Sequence, residues 1–491
     1  MTDAHSARLG RLLAGWETGS GAVPERLATA LADLVAHGDL RSGERLSSER
    51  ALAGVLSISR GSVTDAYARL KESHWIESRP GSGWFIAPEH ARPRGETLVG
   101  DARLSSFDAR TLVQTDLSSG APYGLDLVAD IAASTIASAD FRALVSGDGY
   151  SVAGLPALRE ALAKNYVELG VPTTAEQIVV ASGSQQALKL VADTCVFQDD
   201  IVLVEDPSYR GALDVFRSRG AKLVPVPIDS DGPDLAALGR LVARLKPRVV
   251  YLLPIAHNPT GYVVSESKAR QIAALIDDSH AVFVEDGSTL ELVFDPAGPP
   301  SPVGGYMRSD RWITIGSTSK LFWGGLRTGW IRASESMIHS LTRAKATEDL
   351  GSSMISQVVA TGCFTRVNEA RTLRRMQMIA GLAAAEEALR ECAPEWSWQV
   401  PAGGSGLWVR LPGTDTTAFS QHARRAGITV VPGPVFSAVN GFQDYLRIPF
   451  WRSPDDIQGG VAALADLWQA HRSATTLAHE ARATPVGATW S

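Results

Sequence analysis

The spacing of hydrophobic positions changes character along the chain, and the changes mark its parts. Pro24 to Ala36 (PERLATALADLVA) carries Leu27, Leu31, Leu34 and Val35 at helical spacing, with proline in the first turn, where its missing N–H costs nothing. A polar turn over 38–45 follows. Ser48 opens a short second helix, Val55 to Ile58 form a turn, and Ser59 caps a third helix from Arg60 to Ser73, with Val63, Tyr67 and Leu70 facing inward. Trp75–Ser78 and Trp84–Ile86 read as strands about the tight turn Arg79-Pro80-Gly81-Ser82-Gly83. Three short helices and a hairpin predict an α+β winged helix-turn-helix over residues 1–87. Residues 88–112 are rich in Pro, Gly and Arg without periodicity and read as a linker.

From about residue 113 the pattern becomes one of apolar runs alternating with amphipathic stretches. Strands are expected at Ile178–Ala181, Ile201–Val204, Lys222–Val226, Val249–Leu253, Ala281–Val284, Trp312–Ile315 and Trp330–Arg332, with helices such as Ser184–Thr194, Arg210–Arg219 and Glu266–Asp277 between them. This alternation predicts an α/β domain over 113–335 with a mainly parallel sheet covered on both faces. A helix-rich part with some strand over 336–472 forms a second, smaller α/β domain. Residues 473–491, rich in Ala, Thr and Ser, are expected to be a disordered tail.

Composition narrows the class. A chain of 491 residues, 45% hydrophobic, has room for about three domains. No apolar run is long enough to span a bilayer, and the first fifteen residues lack the pattern of a signal peptide. Cys195, Cys363 and Cys392 are widely spaced, without a metal-ligand pattern, and read as reduced thiols of a cytoplasmic protein. Net charge is −6, split as 12 Lys+Arg against 11 Asp+Glu in residues 1–95 and 35 against 42 beyond. Any DNA binding by the first part must therefore rest on a few placed arginines, not on bulk charge.

The candidate chemistry lies after the strands, where open α/β sheets bind ligands. The strand Trp312–Ile315 runs into Gly316-Ser317-Thr318-Ser319-Lys320, and Arg327 follows. A lysine whose pKa falls on burial suits Schiff-base chemistry, and small hydroxyl residues with an arginine suit a phosphate. Ser182-Gly183-Ser184-Gln185 opens a helix after a strand and offers amides to an anion. Tyr209 follows Asp206-Pro207-Ser208, Asn258 stands in His257-Asn258-Pro259-Thr260-Gly261, and Glu285-Asp286 follows the Ala281 strand. In the winged helix, Arg60 and Thr64 lie on the outward first turns of the third helix, able to reach base edges and phosphates, and Arg50 is a phosphate contact.

Two resemblances organise these residues. Leu46-Ser47-Ser48-Glu49-Arg50, Ser57-Ile58-Ser59-Arg60-Gly61-Ser62-Val63, Tyr67-Ala68-Arg69-Leu70 and Ser78-Arg79-Pro80-Gly81-Ser82-Gly83 resemble the GntR-type winged helix across residues 24–87, with Ser47 where the family usually has proline. The resemblance implies binding of double-stranded operator DNA, with Arg50, Ser59, Arg60, Thr64, Arg79 and Gly81 as contacts. Roughly residues 115–470 resemble fold-type I, pyridoxal 5'-phosphate-dependent aminotransferases. That likeness implies Lys320 as the aldimine-forming lysine, Asp286 at the pyridine nitrogen, Asn258 at the ring hydroxyl and Tyr209 stacked on the ring. It places Ser184, Gln185, Ser317 and Arg327 at the phosphate, Tyr150 at the partner subunit's phosphate, and Arg447, in Leu446-Arg447-Ile448-Pro449, at a substrate carboxylate. The tyrosine the family carries two or three residues after the aspartate is replaced by Ser288 and Thr289. Together the halves resemble MocR/GabR-type regulators: a homodimer sensing a small amine or amino acid through Lys320. An active aminotransferase with a DNA-binding domain, and a sensor of pyridoxal phosphate controlling vitamin B6 supply, are the alternatives.

Overall fold

A computed structural model describes residues 4–13, 16, 22–36, 40, 43–73, 75–79, 82–87 and 115–483. Gly81, the linker 88–112 and the last residues of the expected tail, 484–491, lie outside the described residues. The chain divides into two compact units. One gathers the N-terminal residues through Leu117 with 413–431 and the residues from Leu467 onward; the other holds 118–412 and 432–466.

The first unit contains the expected helices α2 (Val23–Ala36), α3 (Glu49–Leu56) and α4 (Arg60–Glu72), and the hairpin β1 (Ile76–Arg79) and β2 (Gly83–Ile86). Ser48 and Ser59 cap α3 and α4, accepting from the amides of Ala51 and Ser62. One core binds these elements through Leu27, Leu31, Leu52, Val63, Tyr67, Leu70, Ile76 and Ile86. The Tyr67 hydroxyl donates to the Ser47 carbonyl at 2.8 Å, and Trp84 donates to Glu49 at 2.9 Å, so the wing is fastened to both helices. Ser47 serves through its carbonyl, which a proline would also supply. An additional helix, α1 (Ala4–Leu12), precedes the expected fold and buries Leu9 and Leu12 in the same core. Arg11 lies 3.6 Å from Asp415, the N-cap of the helix Thr416–Arg425. In the same unit β3 (Thr115–Asp116) pairs in parallel with a short strand at Ile428–Thr429.

In the second unit β4 (Ile178–Ala181), β5 (Ile201–Asp206), β6 (Lys222–Asp229), β7 (Gly232–Pro233), β8 (Val249–Leu252), β9 (Val282–Asp286), β10 (Trp312–Ser317) and β11 (Gly329–Ala333) form one sheet of order β4-β11-β10-β9-β8-β5-β6-β7. The run β10-β9-β8-β5-β6 is parallel, and β11 is antiparallel to both its neighbours. Alternate residues of β4 enter two different cores, Val179 and Ala181 one, Ile178 and Val180 the other. Its continuous apolar run therefore serves both faces of the sheet.

Two expectations are corrected. Glu285 and Asp286 are the last residues of β9, not a loop after it. Strand alternation separates their side chains: Glu285 accepts from the amides of Val303 and Gly304, while Asp286 accepts from Tyr251. The disordered tail is also overturned in part, because one helix runs Pro454–Ala483. Its alanine-rich end has high helix propensity, which outweighs the lack of an apolar period.

Candidate functional sites

On the winged helix, Arg50, Arg60 and Thr64 are exposed. The Thr64 hydroxyl bonds back to the Arg60 carbonyl at 3.0 Å, and the Ser59 hydroxyl is occupied as the α4 cap. Arg79, at the end of β1, bonds Glu77 at 2.8 Å and lies 4.4 Å from the centroid of Phe85. Three of these guanidinium groups thus stand on α3, on the first turn of α4 and on the wing, the elements that reach a groove and its flanking backbone in this fold.

The parallel strands of the second unit direct their C-terminal ends to one edge, and Tyr209, Asn258, Asp286 and Lys320 lie at or beyond those ends. Lys320 lies in a single π turn, Ser319–Trp323, directly after β10. Such turns interrupt regular structure at functional sites. The residue is half-buried, and its amine, inside, donates to the Gly120 carbonyl at 2.7 Å. Burial first, and the Arg447 charge second, push the amine down to about 8, with Asp286 opposing. The turn is tied from behind by Arg374, fully buried, which donates to the carbonyls of Leu321, Phe322 and Tyr123 at 2.8 to 3.1 Å.

Asp286 is buried; its carboxylate accepts from the Tyr251 hydroxyl at 2.7 Å and from the Ser288 amide at 2.9 Å. Burial, then the Asp286 charge, hold Tyr251 well above the ordinary tyrosine value, so it remains a donor. Thr289 is buried and turned away, its hydroxyl on the Ile255 carbonyl at 3.0 Å. Tyr209, half-buried after β5, donates to the Gln185 amide oxygen at 3.2 Å. Asn258 is half-buried in the loop after β8.

A cradle lies between the helix Ser184–Cys195 and the turn after β10. Gly183, at φ 97°, is the N-cap of that helix. A Cβ there would stand 2.7 Å from Arg327 Nη2, so glycine leaves the space into which the guanidinium fits. Arg327 itself takes a left-handed conformation, φ 48°, and donates to the Ser182 carbonyl at 2.8 Å. Ser317 donates to the Ser319 hydroxyl at 2.9 Å and accepts from the Ser319 amide at 3.1 Å. Tyr150 projects from the surface, 70% exposed.

A strap at 118–120 lies outside the sequence-predicted site residues. Three successive carbonyls receive donors from separate elements: Ser118 from Arg447, Ser119 from Trp451 at 2.8 Å, and Gly120 from Lys320 and from Ser405 at 3.0 Å. Arg447 is buried within a four-stranded sheet, register-paired with Trp408. A Cβ on Gly120 would come within 2.6 Å of its Nη1. The signal that could have found the strap is Ser-Ser-Gly-Ala-Pro after an apolar residue, a turn cluster that looks like more linker.

A nucleophilic amine of lowered pKa, a buried carboxylate and an arginine–hydroxyl cradle at a helix N-terminus form a candidate site for pyridoxal phosphate. The donor set fits that group at its aldehyde, ring nitrogen and phosphate ends. The family model for aminotransferase class I and II matches residues 113–464, and that for bacterial regulatory proteins of the gntR family matches 24–86. The chain is 28% identical to the HTH-type transcriptional regulator YdfD of Bacillus subtilis over 88% of its own length and 93% of that protein. It is 30% identical to the probable rhizopine catabolism regulatory protein MocR of Rhizobium meliloti, covering 70% and 71% of the two chains. Among solved structures, LysN, the α-aminoadipate aminotransferase of Thermus thermophilus, superposes with a TM-score of 0.69 at 27% identity, covering 76% of this chain and 96% of that one. The protein belongs to the aminotransferase class I and II family and, with its gntR-type DNA-binding domain, is a MocR-type transcriptional regulator. No helix among the described residues is long and apolar enough to cross a membrane.

Proposed function

We propose that this regulator senses a small amine or amino acid through the lysine-held pyridoxal phosphate of its body, acting as a cytoplasmic homodimer on operator DNA. When bound, the cofactor supplies an electrophilic carbon that accepts an incoming amine in exchange for Lys320. In this reading Asp286, held by Tyr251, keeps the ring nitrogen protonated. Tyr209 covers the ring, Asn258 donates to its hydroxyl, and Ser184, Gln185, Ser317 and Arg327 take the phosphate. Tyr150 reaches the partner subunit's cofactor, which its exposure in the single chain supports. Arg447 binds an effector carboxylate as a fork of donors. Arg50, Arg60, Thr64 and Arg79 meet the DNA, with Ser59 placing the first turn of α4.

Ser288 and Thr289, in place of the family's tyrosine, favour sensing over turnover. At the place where transaminases of this family keep a proton-handling tyrosine, this chain has a buried threonine spent on a backbone carbonyl. Displacement of Lys320 is left intact, whereas rapid proton shuttling loses its helper. Binding of an amine frees the Lys320 amine to return to the Gly120 carbonyl, altering the strap that also holds Arg447. If the two states of the body differ in operator affinity, ligand and DNA are coupled. The test is steady-state assay of amino-group transfer alongside operator binding. Operator affinity that moves with the amine, without turnover near about 1 per second, supports sensing; turnover with unmoved DNA affinity would make the protein an aminotransferase.

A further inference from the structure

Behind the phosphate cradle a chain of polar groups runs from Ser182 to a buried lysine. Lys345, on the helix Glu335–Glu348, has no exposed side-chain surface, and its ammonium bonds both Asp349 oxygens at 2.5 and 2.6 Å. Asp349 also accepts from the Gly351 amide at 2.9 Å and from Gln186 Nε2 at 2.8 Å. The Gln186 amide oxygen in turn accepts the Ser182 N–H at 2.6 Å. Ser182 is the residue whose carbonyl holds Arg327 and whose hydroxyl reaches Ser352 at 3.3 Å.

The orientation of the Gln186 amide is forced. One end faces a carboxylate, which only accepts, and the other faces a backbone N–H, which only donates. A buried ammonium must keep its partner, so Asp349 is fixed where Lys345 holds it. The peptide of Ser182 is therefore gripped at both its N–H and its C=O, one residue before the Gly183–Ser184 helix start. That grip decides where the first helical amides and the Arg327 guanidinium meet.

We infer that Gln186, backed by the Lys345–Asp349 pair, is a positioning residue for the phosphate end of the cofactor site. The inference rests on the reading that Ser184 and Arg327 hold the phosphate. Its test compares the affinity of the full-length apoprotein for pyridoxal phosphate and for pyridoxal, which has the same aldehyde and ring but no phosphate. Gln186→Leu leaves the Ser182 N–H without its acceptor. It is expected to weaken pyridoxal phosphate about tenfold, leave pyridoxal unchanged, and shift apoprotein melting by no more than a few degrees. Asp349→Asn is the second variant; apoprotein that still melts cooperatively should show the same loss of the phosphate advantage. An unchanged ratio of the two affinities in Gln186→Leu overturns the inference, and so does an equal fall in both. A wild-type protein that binds the two ligands alike would instead overturn the phosphate reading beneath it.

Discussion

The winged helix and the cofactor pocket are built on opposite terms. Arg50 and Arg60 stand on exposed first turns, on helices whose caps are local, each serine accepting from an amide three residues on. The pocket draws Gly120, Ser184, Asp286, Lys320 and Arg447 from positions more than 300 residues apart, and buries charge. A DNA surface works through groups that fold formation does not need, so it can change without cost to the core. The pocket's groups are held by the core and hold it in return.

Substitutions should separate the two regions by what they disturb. The largest effect is expected in the pocket at Arg447→Met. Removal of a bidentate, charge-assisted pair costs about 3 kcal/mol, or roughly 100-fold in affinity for an effector bearing a carboxylate. Binding of amines without a carboxylate should be nearly unaffected, as followed by spectral titration. On the other side of the comparison, Arg60→Ala should weaken operator binding by about 1–3 kcal/mol while melting stays within about 0.5 kcal/mol of wild type. Fluorescence anisotropy and thermal melting on the same preparation check the pair. A large loss of stability at Arg60 would erase the contrast.

A pH profile sharpens it further. With the Lys320 amine near 8, its condensation with pyridoxal should rise about tenfold per pH unit below that value and level off above it. An ordinary lysine would keep climbing to about 10.4. For stability the sign is opposite to that of a paired lysine: the folded chain disfavours the charged amine. Lys320→Met should therefore stabilise the apoprotein at pH 7, with the gain vanishing between pH 8 and pH 10.5, the group's ordinary value. The smallest effect belongs to Ser48→Ala, which removes the α3 cap at a cost of about 1 kcal/mol and changes melting more than specificity.

The same contrast explains what was legible in the sequence. Caps at Ser48 and Ser59, the Tyr67 core position and all seven principal strands announce themselves through local periodicity and turn chemistry. Lys320, Asp286 and Asn258 could be singled out because each stands at or beyond a strand's end, where the chain's order carries information. The strap at 118–120, Tyr251 behind Asp286, Arg374 behind the lysine turn and Gln186 behind the cradle were not. Their partners lie between 4 and 329 residues away, and an arginine or tyrosine in an amphipathic run gives no sign that it is buried. Helix α1 was missed although Leu9, Leu12, Leu13 and Trp16 recur at helical spacing, and the helical end of 454–483 because its alanines lack an apolar period.

The central claim is that an amine acting at Lys320 changes DNA affinity. Operator affinity should be measured by anisotropy for the pyridoxal phosphate-loaded protein, with and without a panel of amines and amino acids, beside Lys320→Ala. At least one ligand is expected to shift wild-type affinity about fivefold or more, and Lys320→Ala, still folded and DNA-binding, to show no shift. An equal shift in Lys320→Ala, or none in wild type with any ligand that perturbs the bound cofactor's spectrum, would contradict it.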